Sequence, residues 1–152
     1  RSGDKRSFSM GFGMSIHSGR VLVAGSATGE ALHLQQDLSF WGAVDPLEGR
    51  IIDSRHPQFG ISIEGKILLM HRSIGSSSGS AILLETLYRG CGPAGIILGE
   101  ADQILTLGAV IAREMGYATI PVIQFDVSRF GDLQGQITIL SDGNVKTNEA
   151  QC

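Results

Sequence analysis

Six residues carry the densest chemistry in the chain: Gly75, Ser76, Ser77, Ser78, Gly79 and Ser80. Serine hydroxyls donate and accept hydrogen bonds, and an activated one moves a proton. The run stands between a compact apolar stretch, Ile67 to Met70, and an apolar pattern at helical spacing, Ala81, Leu84, Leu87 and Tyr88. A strand, a Gly/Ser loop and a helix in that order aim backbone N–H groups at an anion. The stretch therefore reads as a place for anion binding and proton transfer. Gly75-x-Ser77-x-Gly79 also has the spacing of a nucleophile elbow, which needs an acid and then a histidine after the serine. His17, His33, His56 and His71 all precede Ser77, and 152 residues are too few for that hydrolase fold. No Lys-Ser/Thr follows Gly79, so a P-loop is excluded. Helix capping by Ser78 or Ser80 accounts for one serine but not for the whole run.

The neighbours of this loop divide into candidates and bystanders. His71 and Arg72 end the apolar strand, at the edge where open α/β sheets bind ligands. Arg72 either clamps a carboxylate or is a solvated loop charge. His56 lies in a loop between Asp53 and Pro57; alone, it reads as a solvated or turn-bonded histidine. His17 and His33 have no ligand partners at metal-binding spacing, which points to surface or packing roles. Trp41, beside Gly42, reads as core, and Cys91 as a small packed residue at a helix end.

Stepping outward, Arg20–Val23, Ala27–Leu34 (broken near Gly29), Leu38–Trp41 and Arg50–Asp53 read as short strands. After them the rhythm changes. Strand 66–70, helix 79–89 closed by Gly90, strand 94–98, helix 101–115 with Asp102 as N-cap, and strand 121–124 make βαβαβ. Such units build a parallel sheet with right-handed crossovers. Residues 136–140 return to the β-rich half, with a turn at 141–144. Residues 1–18 read as a flexible N-terminal segment, 19–145 as the folded domain and 146–152 as a frayed polar tail. The fold class is α/β: a parallel βαβαβ layer packed with a β-rich layer.

The bulk numbers bound the partners. Net charge is −3 with Lys and Arg scattered, so no nucleic-acid footprint is visible. No apolar run reaches the roughly 18 residues of a membrane span. Cys91 and Cys152 are the only cysteines. Two so placed make no disulfide framework, cannot hold an iron–sulfur cluster alone, and suit a reducing, cytoplasmic setting.

Five stretches occur together and in order: Gly19–Gly25 (GRVLVAG), Ser39–Asp45 (SFWGAVD), Gly49–Asp53 (GRIID), His56–Gly60 (HPQFG) and Gly75–Ser80 (GSSSGS). In this combination the chain resembles the small subunit, or swivel domain, of the aconitase X family, from about Gly19 to Ile123. The resemblance implies a swivelling β/β/α fold and a two-part dehydratase. A large catalytic subunit would hold an iron or iron–sulfur centre, with no cofactor in this chain. The small subunit would present a serine as general base. The family serine maps best onto Ser77, with its neighbour Ser76 as the other candidate. Gly75, Ser76, Ser78, Gly79, Ser80 and Arg72 would then bind substrate, and Asp53 and His56 would lie at the interface or behind the site. Family substrates are cis-3-hydroxy-L-proline and mevalonate 5-phosphate. The family pattern has an arginine before the Gly-Ser-Ser step, where this chain has Ile74, which favours the hydroxyproline. The rival expectation is a non-catalytic module whose loop simply holds an anion.

Overall fold

In the computed structural model, residues 7–9 and 13–148 are described. Among these residues eleven strands, three α-helical segments and a 3-10 helix run in the order β1 (Ser7–Ser9), β2 (Met14–His17), β3 (Arg20–Val23), β4 (Ala27–His33), α1 (Phe40–Ala43), β5 (Val44–Asp45), β6 (Arg50–Ile51), β7 (Ile67–Met70), α2 (Gly79–Arg89), β8 (Gly95–Leu98), α3 (Gln103–Glu114), β9 (Val122–Gln124), the 3-10 helix (Val127–Asp132), β10 (Gln136–Ile139) and β11 (Val145–Asn148). One nine-stranded sheet has the order β1-β2-β11-β10-β4-β7-β8-β9-β3, and β5 pairs with β6 apart from it. The pairs β4–β7, β7–β8 and β8–β9 are parallel. The β1, β2, β11 and β10 side is antiparallel throughout.

Side chains alternate across a strand, so β7 serves two cores at once. Leu68 and Met70, with Ile96, Leu98 and Val122, face α2 and α3 and meet Leu83, Leu87, Leu105, Ala109 and Ala112. Ile67 and Leu69, with Ile97 and Ile123, face the other way and meet Leu133, Ile137, Ile139 and Val145. The antiparallel half thus folds over the back of the parallel half, giving β/β/α layers. Burial on both faces is why the β7 and β8 stretches read as continuous apolar runs. Helix α2 covers the residues expected, and Gly90 at φ 79° ends it. Asp102 caps α3 by accepting from the N–H groups of Ile104 and Leu105.

Four expectations are corrected. Met14–His17 is a strand paired with β11, so residues 13–18 are not a flexible leader. Residues 1–6 and 10–12 lie outside the described residues. Val145–Asn148 is likewise a paired strand rather than a frayed tail, and 149–152 lie outside the description. In these two strands polar Ser15, His17 and Thr147 face inward, which hides the apolar alternation. The strand Ala27–His33 is unbroken. Gly29 is there because a Cβ would meet the Gly65 carbonyl oxygen at 2.5 Å. Finally, Phe40 and Trp41 do not continue a strand. Leu38 makes one parallel bridge to Ser73. The chain then turns through α1, a single irregular turn with Gly42 at φ 87°. Aromatic residues favour strands, but Phe40 here is buried against the start of α2 instead.

The buried His17 fastens β2 to β11. Its Nε2 lies 3.0 Å from Thr147 Oγ1, its ring meets Phe125 edge-on, and its Nδ1 has no hydrogen-bond partner among the described residues. Burial, helped by the positive charge of Arg129 and opposed by the carboxylate of Asp132, holds its pKa below the ordinary 6.5. The unfolded chain then binds the proton first, so stability falls as pH drops through about 6.5 toward the lower folded value. Urea unfolding between pH 7 and pH 5 should show a shallower loss in His17→Gln than in the wild type. Identical pH dependence would contradict this role.

Candidate functional site

The serine loop is built where β7 stops and α2 begins. Ser76, Ser77 and Ser78 are all exposed. The loop tightens through successive turns: Gly79 N–H donates to the Ser76 carbonyl, Ser80 N–H to the Ser77 carbonyl and Ala81 N–H to the Ser78 carbonyl. Ser78 starts α2 without a side-chain cap. The hydroxyl that receives a backbone donor is that of Ser76, whose Oγ accepts from Ser78 N–H at 3.0 Å. Ser80 is committed elsewhere: it is buried, and its Oγ donates to the Ile104 carbonyl at 2.8 Å. Gly79 is buried too, with Phe40 and Ile104 filling the space a side chain would need. The N–H groups of Ser76 and Ser77 find no acceptor among the described residues. The loop therefore offers two backbone donors and one hydroxyl oxygen already held by a third. A bond from N–H to an oxygen favours its ionised form.

Gly75 brings a second segment against this loop. Its φ of 95° is reserved for glycine, and a Cβ there would lie 2.3 Å from Ser39 Oγ. Ser39 Oγ in turn donates to the Trp41 carbonyl at 3.0 Å. So the Ser39–Gly42 turn lies directly against the serine loop.

Beside that contact opens a cleft of about 730 Å³, lined by residues that include Asp37, Ser39, Trp41, Asp53, Arg55, His56 and Ile74. Trp41, expected in the core, is 59% exposed on its wall. Ile52 and Ile74 add exposed apolar surface. Asp53 Oδ1 accepts from Arg55 N–H at 3.0 Å and from its guanidinium at 3.2 Å. The backbone bond first, then the side chain, holds the Asp53 carboxyl below its ordinary value. His56 is buried and turn-bonded: its Nδ1 accepts from Gln58 N–H at 3.0 Å. That leaves Nε2, 3.4 Å from the Gln36 carbonyl, as the donor. Both ring nitrogens thus meet backbone groups of neighbouring loop residues. Arg72, 56% exposed, sits 3.7 Å from Asp37, and His71 sits 3.1 Å from Glu100.

The structure thus brings Asp53 and His56 to one cleft with Ile74, while Ser76, Ser77 and Ser78 are not among the residues that line it. Asp37, Ser39, Ile52 and Arg55 were not singled out from sequence. Ser39 and Ile52 did lie in the stretches that carried the resemblance, and that was the available signal. No group of three or more His, Cys, Asp or Glu side chains able to hold an ion comes together among the described residues. Cys91, buried with its thiol 3.5 Å from the Pro46 carbonyl, is pushed up in pKa chiefly by burial.

Layers, topology and an exposed serine loop beside a cleft define an α/β swivel domain. The chain belongs to the aconitase X swivel domain family, whose pattern matches residues 16–148. It is 46% identical over 103 residues to a cis-3-hydroxy-L-proline dehydratase of Pseudomonas aeruginosa, covering 68% of this chain and 18% of that protein. It is 37% identical over 132 residues to a phosphomevalonate dehydratase small subunit of Thermococcus onnurineus, covering 86% of this chain and 97% of that protein. The chain therefore spans about a fifth of the hydroxyproline dehydratases it matches and nearly all of the archaeal small subunit. Aconitase X of Thermococcus kodakaraensis superposes with a TM-score of 0.75 at 35% identity, over 86% of this chain and 95% of that one.

Proposed function

We propose that this chain is the small-subunit component of a hydro-lyase that dehydrates a small hydroxy acid together with a large catalytic partner. The observation that carries the reading is the serine loop: Ser76 Oγ holds the Ser78 N–H at 3.0 Å, on an exposed helix start beside an open cleft. Dehydration needs a base for a C–H proton and an acceptor for the departing hydroxyl. A free serine is a very weak base. It becomes one when its alkoxide is held by N–H dipoles in a site closed to water.

Of the two serines that the resemblance left as candidates, Ser76 is the better alkoxide. Its oxygen already takes a backbone donor, and Ser77 Oγ takes none. Ser76 is the base in this reading, and Ser77 lends its N–H and hydroxyl to binding. The N–H groups of Ser76 and Ser77 receive a substrate carboxylate, and Arg72 adds a positive charge at the edge of the site. The iron or iron–sulfur centre that the family resemblance implies would be held by the partner and would supply a Lewis acid for the departing hydroxyl. The cleft walls, with Trp41, Ile52 and Ile74 exposed, are the surface the partner closes over.

The favoured substrate is cis-3-hydroxy-L-proline. Ile74 puts an apolar side chain, 44% exposed, beside the loop where a phosphate would want a cation. Arg72, two residues before Ile74, lies 3.7 Å from the Asp37 carboxylate. The match over nearly the whole archaeal small subunit keeps mevalonate 5-phosphate as the second reading. Turnover of both compounds should be measured with the chain alone and with its large partner. The expected result is no dehydration by the chain alone, and dehydration of cis-3-hydroxy-L-proline at the higher kcat/KM by the assembly. Equal or faster turnover of mevalonate 5-phosphate would overturn the substrate. Anion binding with no turnover by the assembly would leave a non-catalytic module.

A further inference from the structure

Both ends of the serine loop are tied to one turn of a different helix. At the entrance, the buried Ser73 donates its Oγ to Asp102 Oδ2 at 2.6 Å. At the exit, Ser80 Oγ donates to the Ile104 carbonyl at 2.8 Å. Asp102 also accepts from Ile104 N–H at 3.3 Å and Leu105 N–H at 3.0 Å, so its carboxylate is locked to α3 while it holds Ser73. Gly108, one turn on, lets the α2 backbone come close: a Cβ there would be 2.9 Å from the Ser80 carbonyl oxygen. Between the anchors, residues 74–78 are exposed, held besides by the Ile74 N–H on the Leu38 carbonyl and by Gly75 against Ser39.

From this arrangement we infer that Asp102 is a positioning residue for the reaction, acting through Ser73 to set where Ser76 stands. The inference rests on the reading of Ser76 as base. Asp102 does not line the cleft and touches no reacting atom. Its ordinary role would be only to cap α3. Its Oδ2, which also accepts the Leu105 N–H, takes the Ser73 hydroxyl and so reaches the chain three residues before Ser76. A short charge-assisted bond of this kind fixes direction as well as distance. A base displaced by about 1 Å loses roughly 10²-fold in rate.

The test uses the chain assembled with its large partner. Ser73→Ala should lower kcat about 10–100-fold with KM within about threefold. Amide exchange at Ser78 and Gly79, whose N–H groups close the loop, should quicken at least about tenfold. Asp102→Asn keeps an oxygen that can take both Leu105 N–H and the Ser73 hydroxyl but loses the charge, so its melting temperature should stay near that of the wild type and its kcat should fall less than in Ser73→Ala. The double variant should be no slower than the slower single one, because both remove one link. Thr28→Ala, which breaks a hydroxyl pair with Thr138 between β4 and β10, should change neither kcat nor loop exchange. Unchanged kcat and unchanged exchange in Ser73→Ala would overturn the inference, as would multiplying losses in the double variant. If the wild-type assembly dehydrates nothing, the functional reading falls, while the exchange comparison still reads the support.

Discussion

Ser76→Ala should reduce kcat of the assembled enzyme by at least the roughly 10²–10⁴-fold typical of a lost general base. The substitution removes one hydroxyl from an exposed loop. Its one bond to the protein, from Ser78 N–H, would pass to solvent, so the stability cost should be about 1 kcal/mol or less. Ser77→Ala should be milder and act mainly on KM, because the Ser77 N–H survives and only a hydroxyl without a backbone donor is lost. Melting temperatures measured beside the rates separate chemistry from unfolding. Near wild-type turnover in Ser76→Ala with a dead Ser77→Ala would move the base to Ser77. Full activity in both would end the serine-base mechanism for this protein.

Gly75→Ala should be almost as damaging, by a different route. The glycine has φ 95°, where an L side chain is strained, and the new Cβ would sit 2.3 Å from Ser39 Oγ and 3.0 Å from Ser39 Cβ. Backbone strain of this kind costs about 1–3 kcal/mol. The loop relieves it by swinging away from Ser39, which carries Ser76 off its position. A drop in kcat of about 10²-fold is expected from a displacement near 1 Å. Adding Ser39→Gly removes the atoms that clash and should recover part of the rate while the strained φ remains. No recovery, with a melting temperature equal to that of Gly75→Ala alone, would show that the Ser39 contact does not set the loop.

The parts of this molecule visible in sequence are those whose physics is local. The strand Ile67–Met70, the helix Gly79–Arg89 with Gly90 after it, and the cap at Asp102 follow from apolar period, glycine chemistry and a capping carboxylate. The strands β2 and β11 were hidden because Ser15, His17 and Thr147 occupy inward positions that normally hold apolar residues. Trp41 misled for the opposite reason: a large aromatic beside an expected strand suggests burial, yet a glycine at φ 87° turns the chain and leaves the indole exposed. The serine loop was legible because strand, loop and helix follow one another. The cleft was not, since Asp37, Asp53 and Ile74 meet only after the sheet forms. Even within the loop, the hydroxyls' partners depended on α3, a separate helix that receives Ser80.

The central claim is that this chain completes a dehydratase by lending it a serine. It is tested most directly by competition at a fixed amount of the large partner. Wild-type chain added to the partner should raise dehydration of cis-3-hydroxy-L-proline to a plateau. Ser76→Ala chain added next should lower that plateau in proportion to its share, because it docks through the same surfaces without the base. A Ser76→Ala chain that sustains the same plateau on its own, or a partner whose rate is indifferent to either chain, would contradict the account.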